Sequence, residues 1–279
     1  MGEFRMNNRV KYDEIGPWSE IKLEIIRDYA SEYSKILSAQ DKPKLFHAYI
    51  DAFAGAGRHR LKSTGEFVPG SPANALLVRP KFKEYHFIDL DKNKAAELSG
   101  LSTNCPCVNI YEEDCNDVLV KEVFPKVRFE DYRRALCILD PYGLHLNWEV
   151  IHTAGKMKSI DIFLNFPIMD INMNVLHKNP DNVRQDQVAR LNCFWGDDSW
   201  RDKAYTKQPT LFGDVPEKVR NEVLAEVFRE RLLKVAGFKF VPKPLAMKNR
   251  HNAVVYYLYF ASQKDVANNI VEYIFNKYA

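Results

Sequence analysis

The chain has 279 residues, 46% of them apolar, 28% charged and 13% aromatic, with a net charge of +3. This composition supplies a full core and excludes a disordered, collagenous or coiled-coil chain, so one large domain, or one domain with an insertion, is expected. The longest apolar stretches, Asn252–Ser262 and Ile160–Met169, are half the length of a membrane span and no secretory signal is evident, which points to a soluble, cytoplasmic chain.

Met1–Arg5 reads as a cloning leader ahead of Met6, and residues 1–17 are set apart as a leader and disordered start. Trp18, Ile21, Ile25, Tyr29, Tyr33 and Ile36 then recur at three- and four-residue intervals, predicting a helix that Pro17 begins. Phe46–Phe53, Tyr85–Asp89, Cys107–Tyr111, Ala135–Leu139 and Ile160–Phe166 are short apolar runs without polar alternation, as strands buried on both faces of a parallel sheet require. Residues 18–169 therefore hold a helical extension and the first half of a βαβ sheet.

Residues 170–216 show no sustained period and read as an insertion or cap. Residues 217–279 complete the same domain. Glu217–Val235 predicts a helix with Val219, Val223, Val227 and Leu232 or Leu233 inward, stopped at Gly237. Phe238–Val241 and Val254–Phe260 follow as an antiparallel strand pair, and Gln263–Tyr278 as a last helix. The fold class expected is α/β: a Rossmann-like, seven-stranded, mostly parallel sheet with an N-terminal helical extension and an insertion.

Charge is unevenly spread. Arg201–Arg250 holds 12 Lys plus Arg against 6 Asp plus Glu, whereas the remainder holds 28 against 31. A basic C-terminal half suits a polyanionic partner, although a solvated helix face is the commoner origin of such a bias. Five cysteines without a CxxC pair predict neither disulfides nor a structural zinc, and no metal is expected.

The residues with chemistry lie at strand ends. Asp51-Ala52-Phe53-Ala54-Gly55-Ala56-Gly57 follows the first strand, and glycine there lets backbone approach a ligand closely. Asp89 ends the next strand, where a carboxylate can accept both hydroxyl protons of a ribose, and Asp114 follows the third. Three acids at successive strand ends fit an adenosyl ligand better than a pyrophosphate, which they would repel; loop capping is the plain alternative. After the fourth strand stands Asp140-Pro141-Tyr142-Gly143. It is either a simple turn or a clamp in which a carboxylate and a backbone carbonyl accept hydrogen bonds from a planar amine while a ring stacks on its heterocycle. Arg58, His59, Arg60 and Lys62 form a basic loop suited to a phosphate backbone, and equally to solvent. Cys115 and Cys137 lack an adjacent base, and His47, His152 and Trp148 read as packing residues, Trp148 being also a substitute for stacking.

The ordered set Asp51–Gly57, Gly70-Ser71-Pro72, Asp89, Asp114 and Asp140–Gly143 resembles the class I S-adenosylmethionine-dependent methyltransferases. Trp18 with Lys22-Leu23, Tyr49–Gly57, Gly70-Ser71-Pro72 with Ala75-Leu76, the Asp140 tetrapeptide and Leu164-Asn165-Phe166-Pro167 resemble more closely the three-Cys-motif partner protein family, over roughly Trp18 to Pro167. Asp51 with Ala54–Arg58 and Gly70-Ser71-Pro72 is also similar to the large-subunit ribosomal RNA adenine-N6 methyltransferases. Their motif is Asp-Pro-Pro-Tyr where this chain has Asp-Pro-Tyr-Gly, so the aromatic residue stands one place early.

These resemblances imply S-adenosylmethionine as cofactor, held by Asp51, Phe53, Gly55, Gly57, Ser71, Asp89, Asp114 and Asp140, and methyl transfer to an amino nitrogen, such as adenine N6 of RNA or DNA, carried by Asp140, Pro141 and Tyr142. They imply as the alternative a non-catalytic binding partner of a three-cysteine-motif protein. A dinucleotide oxidoreductase fits less well, because Gly55-Ala56-Gly57 lacks a third glycine and opens a long loop.

Overall fold

The computed structural model describes residues 12–102, 105–210 and 213–278. The expected leader, Met1–Arg5, lies outside the described residues. Residues 12–16, by contrast, are part of the fold. Glu14–Ile15 (β1) pairs in parallel with Arg58–Leu61 (β3), which pairs in turn with Phe67–Pro69 (β4). The segment expected as a loop after the glycines is thus a hairpin held by the chain's own N-terminal segment.

Pro17–Ser38 (α1) begins with proline at its first position, where no amide donor is needed, and buries Ile25, Tyr29 and Tyr33 as expected. Phe46–Asp51 (β2), Ser71–Leu77 (α2), Glu84–Ile88 (β5), Lys92–Ser102 (α3), Val108–Tyr111 (β6), Cys115–Val118 (α4), Arg133–Leu139 (β7), Trp148–Met157 (α5) and Ile160–Phe166 (β8) follow. The βαβ rhythm expected of this region is observed.

Residues 170–216, read as an insertion or cap without a sustained period, carry regular elements. Ile168–Asn174 (α6), Gln185–Trp195 (α7) and Trp200–Ala204 (α8) lead into a hairpin of Tyr205–Thr210 (β9) and Gly213–Lys218 (β10). Val188, Leu191, Phe194 and Trp195 of α7 join the main core, so the insertion completes one face of the domain.

The next helix, Asn221–Arg231 (α9), starts later than expected because the residues before it pair in β10. Its buried face is Leu224, Ala225 and Phe228, continued by Leu232. Val223, expected inward, is 40% exposed. Val219 and Val227 pack at the core's margin and Leu232 is buried as expected, while the centre of the buried face falls on Phe228, which lies among Trp148, Phe166, Phe194, Trp195 and Tyr259.

Phe238–Val241 is not a strand; it contributes only a bridge between Phe240 and Ser262. The antiparallel pair is Leu245–Lys248 (β11) with Val254–Ala261 (β12), before Asp265–Phe275 (α10) closes the chain. Leu245 and Met247 alternate inward against one face, a pattern too short to stand out between Pro244 and Lys248.

The seven strands lie in the order β11-β12-β8-β7-β2-β5-β6, with β12 antiparallel to β8 and the strands from β8 to β6 parallel. Alternate residues of β7 feed opposite faces. Ala135, Cys137 and Leu139 join the core under α5, whereas Leu136 and Ile138 join the core under α1 and α10. Burial on both faces is why the strand carries no polar alternation. No described helix is long and apolar enough to cross a membrane.

Candidate functional site

The chain runs from β2 outward to β5 and β6, then returns to the other side of β2 with β7. Such a reversal leaves a crevice at the carboxyl ends of the central strands, where open α/β sheets bind ligands. The register sets the rim. Asp51 stands opposite Phe87 and Ile138, and Leu139 opposite Leu164, so Asp51, Asp89, Asp140 and Asn165 end neighbouring strands at one edge. Asp114 follows β6 on the same side.

Two cavities open along this rim and share Phe53 and Tyr142 as a common wall. The larger, about 420 Å³, is lined by Gly55, Ser71, Asp140, Pro141, Asn165 and Lys22 among others. The smaller, about 310 Å³, is lined by Asp89, Leu90, Glu113, Asp114, Cys115 and His145. Asp51 lies beneath, fully buried and itself part of neither lining, but bonded to Phe53 of the common wall.

The glycine turn is held from both ends. The Gly55 amide donates to Asp89 Oδ2 at 2.8 Å, while Asp89 Oδ1 accepts from the Asp91 amide at 2.9 Å. Gly57 has φ +74°, and a Cβ there would stand 2.4 Å from Leu101 Cδ1. Its carbonyl accepts from the Gly70 amide at 2.9 Å, which brings Ser71 beside the turn. Asp114 caps α4, accepting from the Asn116 amide at 2.8 Å. Asp89 and Asp114 thus do the loop work that the plain reading predicts, and they line a cavity as well.

Burial pushes the Asp51 carboxyl up to about 7, against the downward pull of Ser71 and the Phe53 amide. Its Oδ1 accepts from that amide at 3.3 Å, and its Oδ2 has no hydrogen-bond partner among the described residues. Burial likewise pushes the Cys115 thiol up to about 12 and raises Cys137 well above the usual thiol range, so neither is a ready nucleophile. Desolvation lowers His59, whose ring lines the larger cavity in its neutral form.

Asp140 is already engaged. Its Oδ2 takes the ammonium of Lys22 from α1, and its Oδ1 accepts from Asn165 Nδ2 at 2.8 Å. The Lys22 ammonium also sits 5.5 Å from the centre of the Tyr256 ring. Over the opening lies the N-terminal segment: Asp13 pairs with Lys94 at 2.8 Å and its charge helps burial to raise the pKa of the Tyr142 hydroxyl, and Tyr12 packs edge-on against Phe67 at 4.9 Å. Tyr142 is 59% exposed and forms the divide between the cavities.

The basic quartet does not act as one patch. Alternation along β3 turns His59 inward and leaves Arg58 and Arg60 on the outer side; Arg60 is engaged by the Gly65 carbonyl at 3.0 Å and Lys62 is exposed. Trp148 packs in the core, with the Arg231 guanidinium 4.7 Å from its ring, and takes no part in the rim.

Several rim residues escaped the sequence reading. Asn165 and Lys22 stood inside quoted motifs without a role, because nothing local says that two elements 118 residues apart meet. Leu90, His145 and Arg190, which reaches His145 at 3.2 Å from α7, had no signal at all.

The donor set describes the ligand. Carboxylates of Asp13, Asp140 and Asp170 on one cavity and of Asp89, Glu113 and Asp114 on the other accept hydrogen bonds and attract positive charge. Asn165 Oδ1 and Asp170 Oδ2 are buried acceptors without partners among the described residues. An amino-acid sulfonium nucleoside, rich in N–H and O–H donors and cationic at sulfur, fits these residues; a pyrophosphate does not.

No family model and no curated protein matches the chain. Among solved structures it is similar to a protein from Legionella pneumophila str. Philadelphia 1, at 10% identity over 92% of this chain and 91% of that one, with a TM-score of 0.50. It is also similar to a SAM-dependent methyltransferase from Aquifex aeolicus, at 13% identity over 90% and 97% of the two chains with a TM-score of 0.33. A SAM-dependent O-methyltransferase from Thermotoga maritima matches at 9% identity over 84% and 64%, with a TM-score of 0.31. At such identities the likeness to the Legionella protein is one of fold alone, and the strand order shows that fold to be Rossmann-like: a seven-stranded, mostly parallel sheet with an antiparallel strand pair at one edge.

Proposed function

We propose that the chain binds S-adenosylmethionine and transfers its methyl group to an amino nitrogen, the exocyclic amine of adenine in RNA or DNA. The observation that carries this reading is the pair of acid-lined cavities meeting at Phe53 and Tyr142, with Asp140-Pro141 on the wall of the larger. S-adenosylmethionine would supply an electrophilic methyl on a sulfonium centre: as the N–C bond forms the S–C bond breaks, S-adenosylhomocysteine leaves as a neutral thioether, and the methylated nitrogen, acidic enough to need no strong base, gives up its proton. In this arrangement Asp89, Asp114 and Leu90 hold the adenosine end, and Phe53, Gly55 and Ser71 line the way to the amino-acid end.

Asp140 and the Pro141 carbonyl then accept hydrogen bonds from the substrate amine. An aromatic amine keeps its lone pair in the ring; two acceptors on its hydrogens draw the nitrogen toward tetrahedral geometry and aim the pair at the methyl. Each Asp140 oxygen retains a second lone pair beside its bond to Lys22 or Asn165, and those are the acceptors available. The exposed ring of Tyr142 offers a stacking face for the base. A single strand is the easier substrate, because a duplex must first extrude the base.

The test is transfer of labelled methyl from S-adenosylmethionine to RNA and single-stranded DNA, read as N6-methyladenosine by mass spectrometry. Asp140→Ala is expected to abolish product while leaving cofactor binding within a few fold. Unchanged turnover in that variant rejects the reading.

A second reading, a non-catalytic partner of a three-cysteine-motif protein, is favoured by one observation: both Asp140 oxygens already carry a bond from the chain itself. It predicts cofactor binding without product, and loss of methylated adenosine from no cellular RNA when the gene is removed.

A further inference from the structure

A third cavity, of about 300 Å³, lies at the opposite end of the sheet and shares no residue with the two on the rim. It opens where β7 and β8 begin, beside Arg134, Ser159 and Asp161, and is roofed by α1 and α10. Its walls are apolar: the rings of Tyr29 and Tyr33 with Ile36, Leu45 and Ile270. Its volume stands at the lower end of the range that holds small-molecule ligands.

The polar groups are few and uneven in sign. Asp161 forms part of the wall and is satisfied by the Tyr29 hydroxyl at 3.0 Å and the Ser262 hydroxyl at 2.6 Å. Arg134 is pinned in place, its guanidinium 3.8 Å from the centre of the Phe129 ring and donating to the Arg133 and Phe129 carbonyls. Lys158 and Lys264 are exposed at the lining; neither is held in an ion pair among the described residues, although the charge of Lys264 acts on Asp161. Ser159, 3% exposed, lines the cavity with a buried hydroxyl that has no hydrogen-bond partner among the described residues. A buried hydroxyl left unpaired is a cost that a native fold rarely keeps without a reason.

We propose that this cavity is a second ligand site, taking a small monoanionic amphiphile: a medium-chain or aryl monocarboxylate whose apolar body lies against Tyr29 and Tyr33 and whose charged end meets Lys158 and Lys264. Three cations against one satisfied carboxylate leave the lining net positive, which selects an anion. An alkylammonium would meet like charge, and a neutral alcohol of the same length would leave the lysines without a counter-charge. The Ser159 hydroxyl donates to the ligand's oxygen. This inference is independent of the methyl-transfer reading, since none of its residues lies on the rim.

The test is calorimetric titration of the full chain with octanoate, 1-octanol and octylammonium, and with 2-naphthoate as the aryl probe. Octanoate is expected to bind about tenfold or more tightly than octanol, a difference of about 1.4 kcal/mol by the affinity relation, and octylammonium not to bind. The double variant Lys158→Glu, Lys264→Glu, altered only at exposed positions, is expected to lose that advantage while octanol is unaffected. Ala267→Trp, which fills the cavity, is expected to abolish binding of both carboxylates, and the charge-reversal pair stands as the test if that variant does not fold. The proposal is overturned by octanol binding as tightly as octanoate, by no loss in the charge-reversed chain, by no octanoate binding up to millimolar concentration, or by displacement of octanoate with saturating S-adenosylhomocysteine, which would put it on the rim.

Discussion

Removing the ammonium that grips Asp140 tests the geometry of the rim without any knowledge of substrate. Lys22 keeps 10% of its side-chain surface exposed and Asp140 31%, so the pair is buried on one side and wet on the other. Breaking a fully buried pair by removing one partner costs about 3–5 kcal/mol, because the remaining charge is stranded. Solvent reaches about a third of Asp140 and Asn165 still donates to it, so Lys22→Met should cost about 1–3 kcal/mol. For a chain of this size that is a fall in Tm of roughly 2–5 °C.

Asp140→Asn strands the lysine instead, and the double variant strands neither. Urea unfolding of the four proteins should therefore give a coupling energy of about 1–2 kcal/mol, reduced only in part by added salt because Lys22 is largely buried while Asp140 is wet on one side. A coupling below about 0.5 kcal/mol would show that the two side chains do not meet in solution, and would remove the link between α1 and the end of β7 on which the shape of the larger cavity depends.

Three further outcomes follow from the packing. Asp51 titrates near 7 when folded and near 3.9 when unfolded, so the folded state binds its proton more tightly and stability drains away as pH rises through that window; Asp51→Asn should gain on wild type from about pH 4 to about pH 7, by up to roughly 1.4 kcal/mol per pH unit, and a flat difference in pH-dependent urea unfolding would contradict the burial argument. Gly57→Ala must hold φ +74° and push Leu101 away, and should cost about 1–3 kcal/mol in thermal unfolding; a neutral result would mean the turn is not tight. Phe228→Ala should cost about 3–5 kcal/mol, while Val223→Ala, on the exposed side of the same helix, should stay within about 0.5 kcal/mol; the reverse order would restore the helix face read from valine spacing.

Much of the architecture is legible locally. β8 was read at its observed bounds, and the neighbouring strands to within a few residues, because a strand buried on both faces must be apolar throughout. α1 is legible because proline, capped by nothing but its own geometry, starts a stripe that repeats for five turns. The order of acids at strand ends was legible too, since a parallel sheet delivers successive strand ends to one edge whatever lies between them.

Where the reading went astray, a distant partner had the deciding vote. Phe228 turns α9 toward rings from β8, α7 and β12, and no window around the helix contains them. Val188, Leu191, Phe194 and Trp195 make a stripe of only about two turns that scattered polar residues hide until the core collects it. Glu14–Ile15 is ordered only because β3 offers it an edge. The amino-acid order alone determined the five parallel strands, α1 and which acids share a rim, since these depend on neighbours in sequence. Only tertiary packing decided that Lys22 closes on Asp140, that Tyr142 divides the ligand space and that an apolar cavity opens at the far end, because each needs side chains from separate elements to meet within a few ångströms.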